Sequence, residues 1–470
     1  MGPRKYAAAL LAALCSMLVA HCTANADDYV LTGIVVAPNN VITDGAISIS
    51  GQTIAAVGQR TAVSPGGTVI KTGGIILPGF IDLHNHLTWN VLPRWIPSHE
   101  FNNRYDWQDI AEYDRKLQAP HTFVLNQAEC EAEIFAEIKA LAGGATSAVG
   151  SPVPDDKYPD NKACAKGLVR NLDTFSDLPF TPPAKDDPCQ SQGTYQTLFD
   201  VVDNEIFPLR LDNDRIRFLG CVLKSGELKS LVIHLSEGAP TDASAHEESS
   251  MLPAVLITPG LVVVHGTALR LQDFLKLKGK AGLVWSPRSN DELYGATTNI
   301  LAAQQESIPI AIAPDWSPSG SAGMLQEMGY AFRKYKYFTS DQLVSMATSV
   351  PATISRLNDK LGSLSPGLLA DVVVIRDKGD TPSHTVVTAT PADILLVIVG
   401  GQALYGNPDI MAQLLPGKTL EPLTVCGASK VVYLGQSVAP ARHETLADIM
   451  AKLNGALQNA GSSLAPIECD

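Results

Sequence analysis

The sequence predicts an α/β protein: a distorted (β/α)8 TIM barrel with a small β-sandwich domain formed from both chain ends. Three observations predict it. At 470 residues the chain exceeds one domain of ordinary size, yet it suits a large barrel with a small companion. Short β-rich runs separated by turn signals occupy both flanks. Between them, SLVIHL, GLVVVHG, AGLVWS and PIAIAP are apolar runs bounded by Gly, Pro or polar residues. Their apolarity is continuous rather than alternating, as expected of parallel strands covered on both faces. A chain that is 45% hydrophobic and 18% charged is not disordered. Its net charge of −13 excludes a nucleic-acid partner, because a phosphate backbone would be repelled.

Residues 1–26 read as a signal peptide. Arg4 and Lys5 precede the apolar stretch Ala7–Ala20, and Ala24-Asn25-Ala26 is a small-x-small cleavage pattern. The stretch is too short for a stable membrane span, so the mature chain is expected to be exported, periplasmic or secreted. Cleavage removes two bases and no acid, taking the net charge from −13 to −15. Six cysteines remain, an even number that an oxidising compartment can pair. Proximity in sequence favours Cys164 with Cys189 and Cys426 with Cys469. No CxxC pair points to a thiolate metal site.

The runs YVLTGIVV, AISIS and TIAAVG open the mature chain, and LLADVVVIRD and ILLVIVGGQALYG return the same texture downstream. The composite β-sandwich is therefore assigned to 27–75 and 360–425, the barrel to 76–359, and a C-terminal extension to 426–470. ILPGFIDLH reads as the first barrel strand and Asn126–Leu141 as a helix ended by Gly143-Gly144. Strands three and four are not legible in the Pro- and Asp-rich stretch 150–230. Residues 88–122 form an insertion with Trp89, Trp95, Tyr105 and Trp107. The tail holds a helix candidate, ETLADIMAKLNGAL.

Polar residues gather at the ends of the apolar runs. His84 and His86 close the first, His234 and His265 the fifth and sixth, and Asp315 the eighth. Residues i and i+2 of a strand share a face, which places His84 and His86 together in the barrel mouth. The intervals of 148, 31 and 50 residues accommodate four, one and two βα units. Imidazoles and a carboxylate around an open position suit one divalent metal ion, zinc first, with iron and manganese as alternatives.

Five segments in this order, PGFIDLHNHL, His234-Leu235-Ser236-Glu237, Val264-His265-Gly266, Trp285-Ser286-Pro287-Arg288-Ser289-Asn290 and Pro314-Asp315-Trp316-Ser317, resemble the strand-end motifs of the amidohydrolase superfamily. The resemblance is to its metal-dependent deaminase and chlorohydrolase-like branch and covers about residues 29–405. It implies His84, His86, His234 and Asp315 as metal ligands, Glu237 as proton shuttle and His265 as the residue orienting water or substrate. A metal-activated water, with Asp315 and Glu237 dividing the acid–base work, would then attack an sp² carbon and release ammonia or an amine. The sequence departs from the branch at Pro314 and in the insertion 88–122.

Two-metal members hold a carboxylated lysine at the fourth strand. Lys224 lies too close to the fifth strand for a crossover to fit, so a single metal is expected and Lys224 reads as a loop lysine. Trp89, Trp285 and Arg288 are candidate substrate contacts, Arg288 as a bidentate partner for a carboxylate. His99 and His121 are candidate pocket residues; His246, His384 and His443 read as surface or structural. Deamination of a nitrogen heterocycle is the leading function. Hydrolysis of amide, lactam or imide bonds with the same metal machinery, as in imidazolonepropionase- or dipeptidase-like enzymes, is the alternative. A non-catalytic metal-containing binding protein is the third reading. The partner is a small-molecule substrate, and a homo-oligomer is compatible with the sequence.

Overall fold

The computed structural model describes residues 28–64, 66–150, 164, 167–174, 178–181, 189 and 200–469. The leader expected over 1–26 lies outside the described residues. The N-terminal flank gives β1 (Tyr29–Ala37), β2 (Asn40–Ser50), β3 (Thr53–Gln59) and β4 (Thr68–Pro78). Eight parallel strands follow: β5 (Phe80–Asp82), β6 (Ala145–Ala148), β7 (Arg170–Asn171), β8 (Val202–Glu205), β9 (Ser230–Leu235), β10 (Leu261–His265), β11 (Ala281–Trp285) and β12 (Ile310–Ile312). The C-terminal flank supplies β13 (Val372–Arg376), β14 (Ile394–Val399), β15 (Gln402–Gly406), β16 (Glu421–Val425) and β17 (Ala428–Val432).

Both flanks meet in one nine-stranded sheet, ordered β16-β17-β15-β14-β13-β4-β1-β2-β3. The seam is the antiparallel pair of β4 and β13, where Ile76 faces Val374. The expected sandwich is thus, by hydrogen bonding, a single sheet drawn from both flanks, and its last strand runs past residue 425. Leu31, Ile47, Ile70, Val374 and Leu396 share one buried cluster, while Ile75, Leu77, Val373 and Val397 join the main core. That alternation is the period of two that gives a sheet two apolar faces.

The parallel strands form a three-stranded sheet, β5 to β7, and a five-stranded sheet, β8 to β12, in chain order. A few backbone contacts span the seams: Val202 N donates to Leu172 O at 3.3 Å, while Asp315 N donates to His84 O at 3.1 Å and His86 N to Asp315 O at 3.0 Å. Among the described residues the ladder does not close into a continuous barrel. Val232, Val262, Val264, Val284 and Ala311 form one cluster common to the strands. The two strands missing from the sequence reading are β7, only two residues, and β8, VDNE, neither with an apolar run.

ILPGFIDLH is divided between two sheets rather than forming one strand. A Cβ at Gly79 would lie 2.2 Å from Thr146 Oγ1, so only glycine lets the chain step there from β4 to β5. The long helix is Ala119–Ala142, and the C-terminal helix Leu446–Asn459 packs against it. Arg442 and Lys452 both reach the buried Glu131 on the long helix, at 3.1 and 2.5 Å. Lys224 is exposed in the last turn of the helix Asn213–Ser225, not in a loop. Disulfides join Cys130–Cys164, Cys189–Cys221 and Cys426–Cys469. The expected Cys164–Cys189 pair is therefore corrected: each cysteine bonds to a helical partner that the fold brings closer than its neighbour in sequence.

Candidate metal centre and active site

His84 and His86 lie just past β5, not in it, and backbone contacts rather than strand pleat aim them. His84 N donates to Asp82 Oδ1 at 3.1 Å, and Asn85 Nδ2 donates to Asp82 Oδ2 at 2.6 Å. His86 N donates to Asp315 O at 3.0 Å. His234 sits in β9 on the interior face it shares with Val232. Ser236, His265 and Asp315 all have left-handed backbone, with φ of 52°, 61° and 70°. Such strain costs about 1–3 kcal/mol per residue and is concentrated at functional sites. It is fixed here by Ser236 N donating to Glu248 Oε2 at 2.7 Å and Thr298 Oγ1 donating to His265 O at 2.6 Å.

The ring nitrogens converge. His84 Nε2 is 3.1 Å from His234 Nε2 and 3.2 Å from Asp315 Oδ1, and His86 Nε2 is 3.4 Å from the same oxygen. His84 Nδ1 meets Ser286 Oγ at 2.9 Å. Ser289 Oγ donates to Asp315 Oδ2 at 2.5 Å, leaving Oδ1 turned to the imidazoles. His265 Nδ1 meets Asn290 Oδ1 at 2.9 Å, and its Nε2 lies 3.7 Å from Glu237 Oε2. Burial, then the other histidines, pushes His84 well below the usual imidazole range, and burial does the same first for His234. His86 is pushed down to about 4, mainly by burial. Burial pushes Asp315 well up, against the Ser289 hydrogen bond.

This donor set fits a divalent cation. Neutral imidazoles offer lone pairs, and the buried carboxylate lacks a compensating positive charge. A tetrahedral ion with bonds of about 2.0–2.1 Å sets its ligand atoms about 3.3 Å apart. The three separations His84–His234, His84–Asp315 and His86–Asp315, at 3.1, 3.2 and 3.4 Å, straddle that value.

Glu237 is buried between donors. Tyr294 Oη donates to Glu237 Oε1 at 2.6 Å, and Trp107 Nε1 donates to Tyr294 Oη at 2.9 Å. Arg104 Nη1 lies 3.4 Å from Glu237 Oε2. Burial opposes ionisation of Glu237, but His265, Arg104 and the Tyr294 hydroxyl outweigh it and hold the carboxyl below the usual range.

A cavity of about 220 Å³ opens over these groups, lined by His86, His234, Glu237, His265 and Asp315 and by residues of the insertion. The insertion is the roof. Trp89 faces the cavity and stacks on His121 at 3.7 Å, while Trp316 packs edge-on to Trp89 at 5.4 Å. His121 therefore backs the wall instead of lining it, and His99 is exposed beside Phe101. Two expected substrate contacts are corrected. Trp285 is wholly buried away from the cavity, its Nε1 donating to Thr297 Oγ1 and its ring packed on Tyr335 and Phe338. Arg288 lies over the Tyr330 ring and does not line the cavity. The arginine at the cavity is Arg104, which the sequence reading missed together with Tyr294, while Trp107 was named in the insertion without a role. Ser289 and Asn290 stood in a quoted motif but drew no role.

The amidohydrolase family model matches residues 226–404. A 5-methylthioadenosine/S-adenosylhomocysteine deaminase of Nitratidesulfovibrio vulgaris (strain Miyazaki F) is 24% identical over 440 residues, covering 80% of this chain and 93% of the relative. An adenosine deaminase from Xanthomonas campestris with bound zinc superposes with a TM-score of 0.64 at 16% identity, covering 92% of this chain and 98% of that one. Atrazine chlorohydrolase from Arthrobacter aurescens complexed with zinc gives 0.61 at 16% identity, covering 91% and 99%. The structural likenesses bear on the fold, and such neighbours imply a (β/α)8 arrangement for the eight parallel strands. Motifs, the family match over residues 226–404 and the relatives agree in likening this chain to the amidohydrolase superfamily and its deaminase-like branch.

Proposed function

We propose that the protein is an exported, metal-dependent hydrolase that cleaves a carbon–nitrogen bond by deaminating a small nitrogen heterocycle. The observation that carries this is the meeting of His84, His86, His234 and Asp315 beside an ionised Glu237 in one cavity roofed by aromatic rings. Those four side chains would hold one divalent ion, zinc by its nitrogen-rich donor set. When bound, such an ion would lower the pKa of a water towards about 7 and so supply the nucleophile at neutral pH.

The chain's own residues do the rest. Asp315 Oδ1 takes a proton from the attacking water, and Ser289 on Oδ2 keeps that oxygen turned towards it. With Nδ1 donating to Asn290, His265 offers Nε2 to the water or to the ring. Glu237 rests ionised, so it takes one proton of the water and passes it from Oε2 to the ring nitrogen as the carbon is attacked. The second water proton, held on Asp315, goes to the leaving nitrogen. Trp89, Trp107 and Trp316 flank the ring and exclude bulk water. Attack at the sp² carbon gives a tetrahedral carbon, and ammonia departs with the delivered proton.

Export is supported by the leader pattern and by the pairing of all six remaining cysteines in disulfides. The test is ammonia release by the zinc-loaded mature chain across aminopurines, aminopyrimidines and aminotriazines, with cyclic amides and dipeptides alongside. Hydrolysis of the amides with no ammonia from any ring would replace deamination by amide hydrolysis.

A further inference from the structure

We infer that Arg104 selects the substrate of this site, and that the substrate is a planar ring carrying an anionic oxygen on the side facing Glu237. The inference rests on the deamination reading and adds to it the chemical class of ring. Arg104 starts the helical turn Arg104–Gln108 in the insertion, where the Asn103 side chain accepts from Tyr105 N and Asp106 N. The insertion is sewn to the loop that carries Glu237: Ala239 N donates to Asn102 O at 2.6 Å and Arg104 N to Glu237 O at 3.2 Å. Gly238 permits the approach, because a Cβ there would lie 2.5 Å from Asn102 O.

The side chain is fixed before any ligand arrives. Arg104 is 4% exposed. Its Nη1 donates to Ile206 O at 2.9 Å, and the guanidinium sits 4.3 Å from the centre of the Phe207 ring. Its Nε is buried without a hydrogen-bond partner. Among the described residues lining the cavity, Arg104 is the only lysine or arginine. The cavity, about 220 Å³, is smaller than the roughly 300–1,000 Å³ of sites for drug-sized ligands. Its aromatic walls suit a flat ring, and a guanidinium prefers a carboxylate or another anionic oxygen. An oxygen held there sits beside Glu237 and so registers the scissile carbon against the residue that moves the proton.

The experiment measures binding apart from turnover. Quenching of tryptophan fluorescence in the zinc-loaded protein gives Kd for pyrazine-2-carboxylate, pyrazine-2-carboxamide and barbiturate, which separate a carboxylate, its neutral counterpart and an acidic ring oxygen. The wild type is expected to favour at least one anion over the carboxamide by about 10–100-fold. Arg104→Met should collapse that gap and Arg104→Lys restore part of it, with melting temperatures reporting that both variants fold. Binding of all three within threefold, binding of none, or an equal loss for all three in Arg104→Met would overturn the inference. Selective binding without ammonia from any ring would count against deamination while upholding selection by Arg104.

Discussion

Tyr294→Phe removes one oxygen atom and leaves the ring in place. The hydroxyl donates to Glu237 Oε1 at 2.6 Å in a fully buried setting. Hydrogen bonds to charged groups contribute about 1.5–3 kcal/mol, which corresponds to a loss of about 10–150-fold in turnover. On the proposed mechanism Glu237 carries the proton, so the loss should fall on kcat and leave KM nearly unchanged. The substitution also strands Trp107 Nε1, whose acceptor is that hydroxyl. An orphaned buried donor costs about 1–3 kcal/mol of stability, so the melting temperature should fall as well. Trp107→Phe separates the two effects: it removes the stranded donor and keeps the Tyr294–Glu237 contact, so its kcat should fall by less than about tenfold. The assay is steady-state ammonia release with melting curves on both variants. If Tyr294→Phe stays within threefold of wild-type kcat while its melting temperature falls, the hydroxyl supports the fold and does not prepare Glu237 for catalysis.

Removing the metal with a chelator should abolish turnover and lower the melting temperature, and zinc should restore both; an ion present at 100 times its Kd adds about 2.7 kcal/mol. Elemental analysis should find one ion per chain, and two tightly bound ions would refute the four-ligand site. Asp315→Asn should cost about 10²–10⁴-fold in kcat, whereas unchanged activity would exclude Asp315 as the proton acceptor. Cys426–Cys469 closes a separation of 43 residues and ties down the tail, where Ala465 N reaches Val91 O and Gln326 Nε2 reaches Glu468 O. Chain entropy values that closure at about 4 kcal/mol, so Cys469→Ser should lower the melting temperature and open residues 461–469 to proteolysis. Burial raises Glu137 from the ordinary 4.5 to about 8, against its hydrogen bond from Asn171. The folded chain then holds a proton that the unfolded chain releases, so Glu137 lowers stability progressively as pH rises from about 4.5 to about 8. Glu137→Gln should flatten that part of the denaturation profile, and an unchanged slope between pH 5 and 8 would refute the assignment.

What the sequence showed depended on whether a residue's role was local. In a parallel strand buried on both faces every residue is apolar until the end, so a histidine or aspartate stopping the run stands out. His234, His265 and Asp315 were legible for that reason, whereas RN and VDNE were too short and polar to register as β7 and β8. Strand parity was also readable at β11. Val284 joins the interior cluster, so Trp285, one position on, faces the helices and could not have lined the cavity. His265 breaks the same rule: it follows the interior-facing Val264 and still reaches the cavity, at a position where its backbone turns to φ 61°. No hydrophobic pattern encodes that turn. Arg104, Tyr294 and the role of Trp107 were invisible for another reason. Arg104 and Tyr294 meet Glu237 across 133 and 57 positions, and Trp107 meets Tyr294 across 187, intervals over which the chain carries no periodic signal. A trace did exist, since Gly238 directly follows Glu237 and marks where another backbone must come close. Strand ends expose the reaction's machinery to sequence reading, while the residues that select among substrates arrive on an inserted loop whose docking only the folded chain reveals.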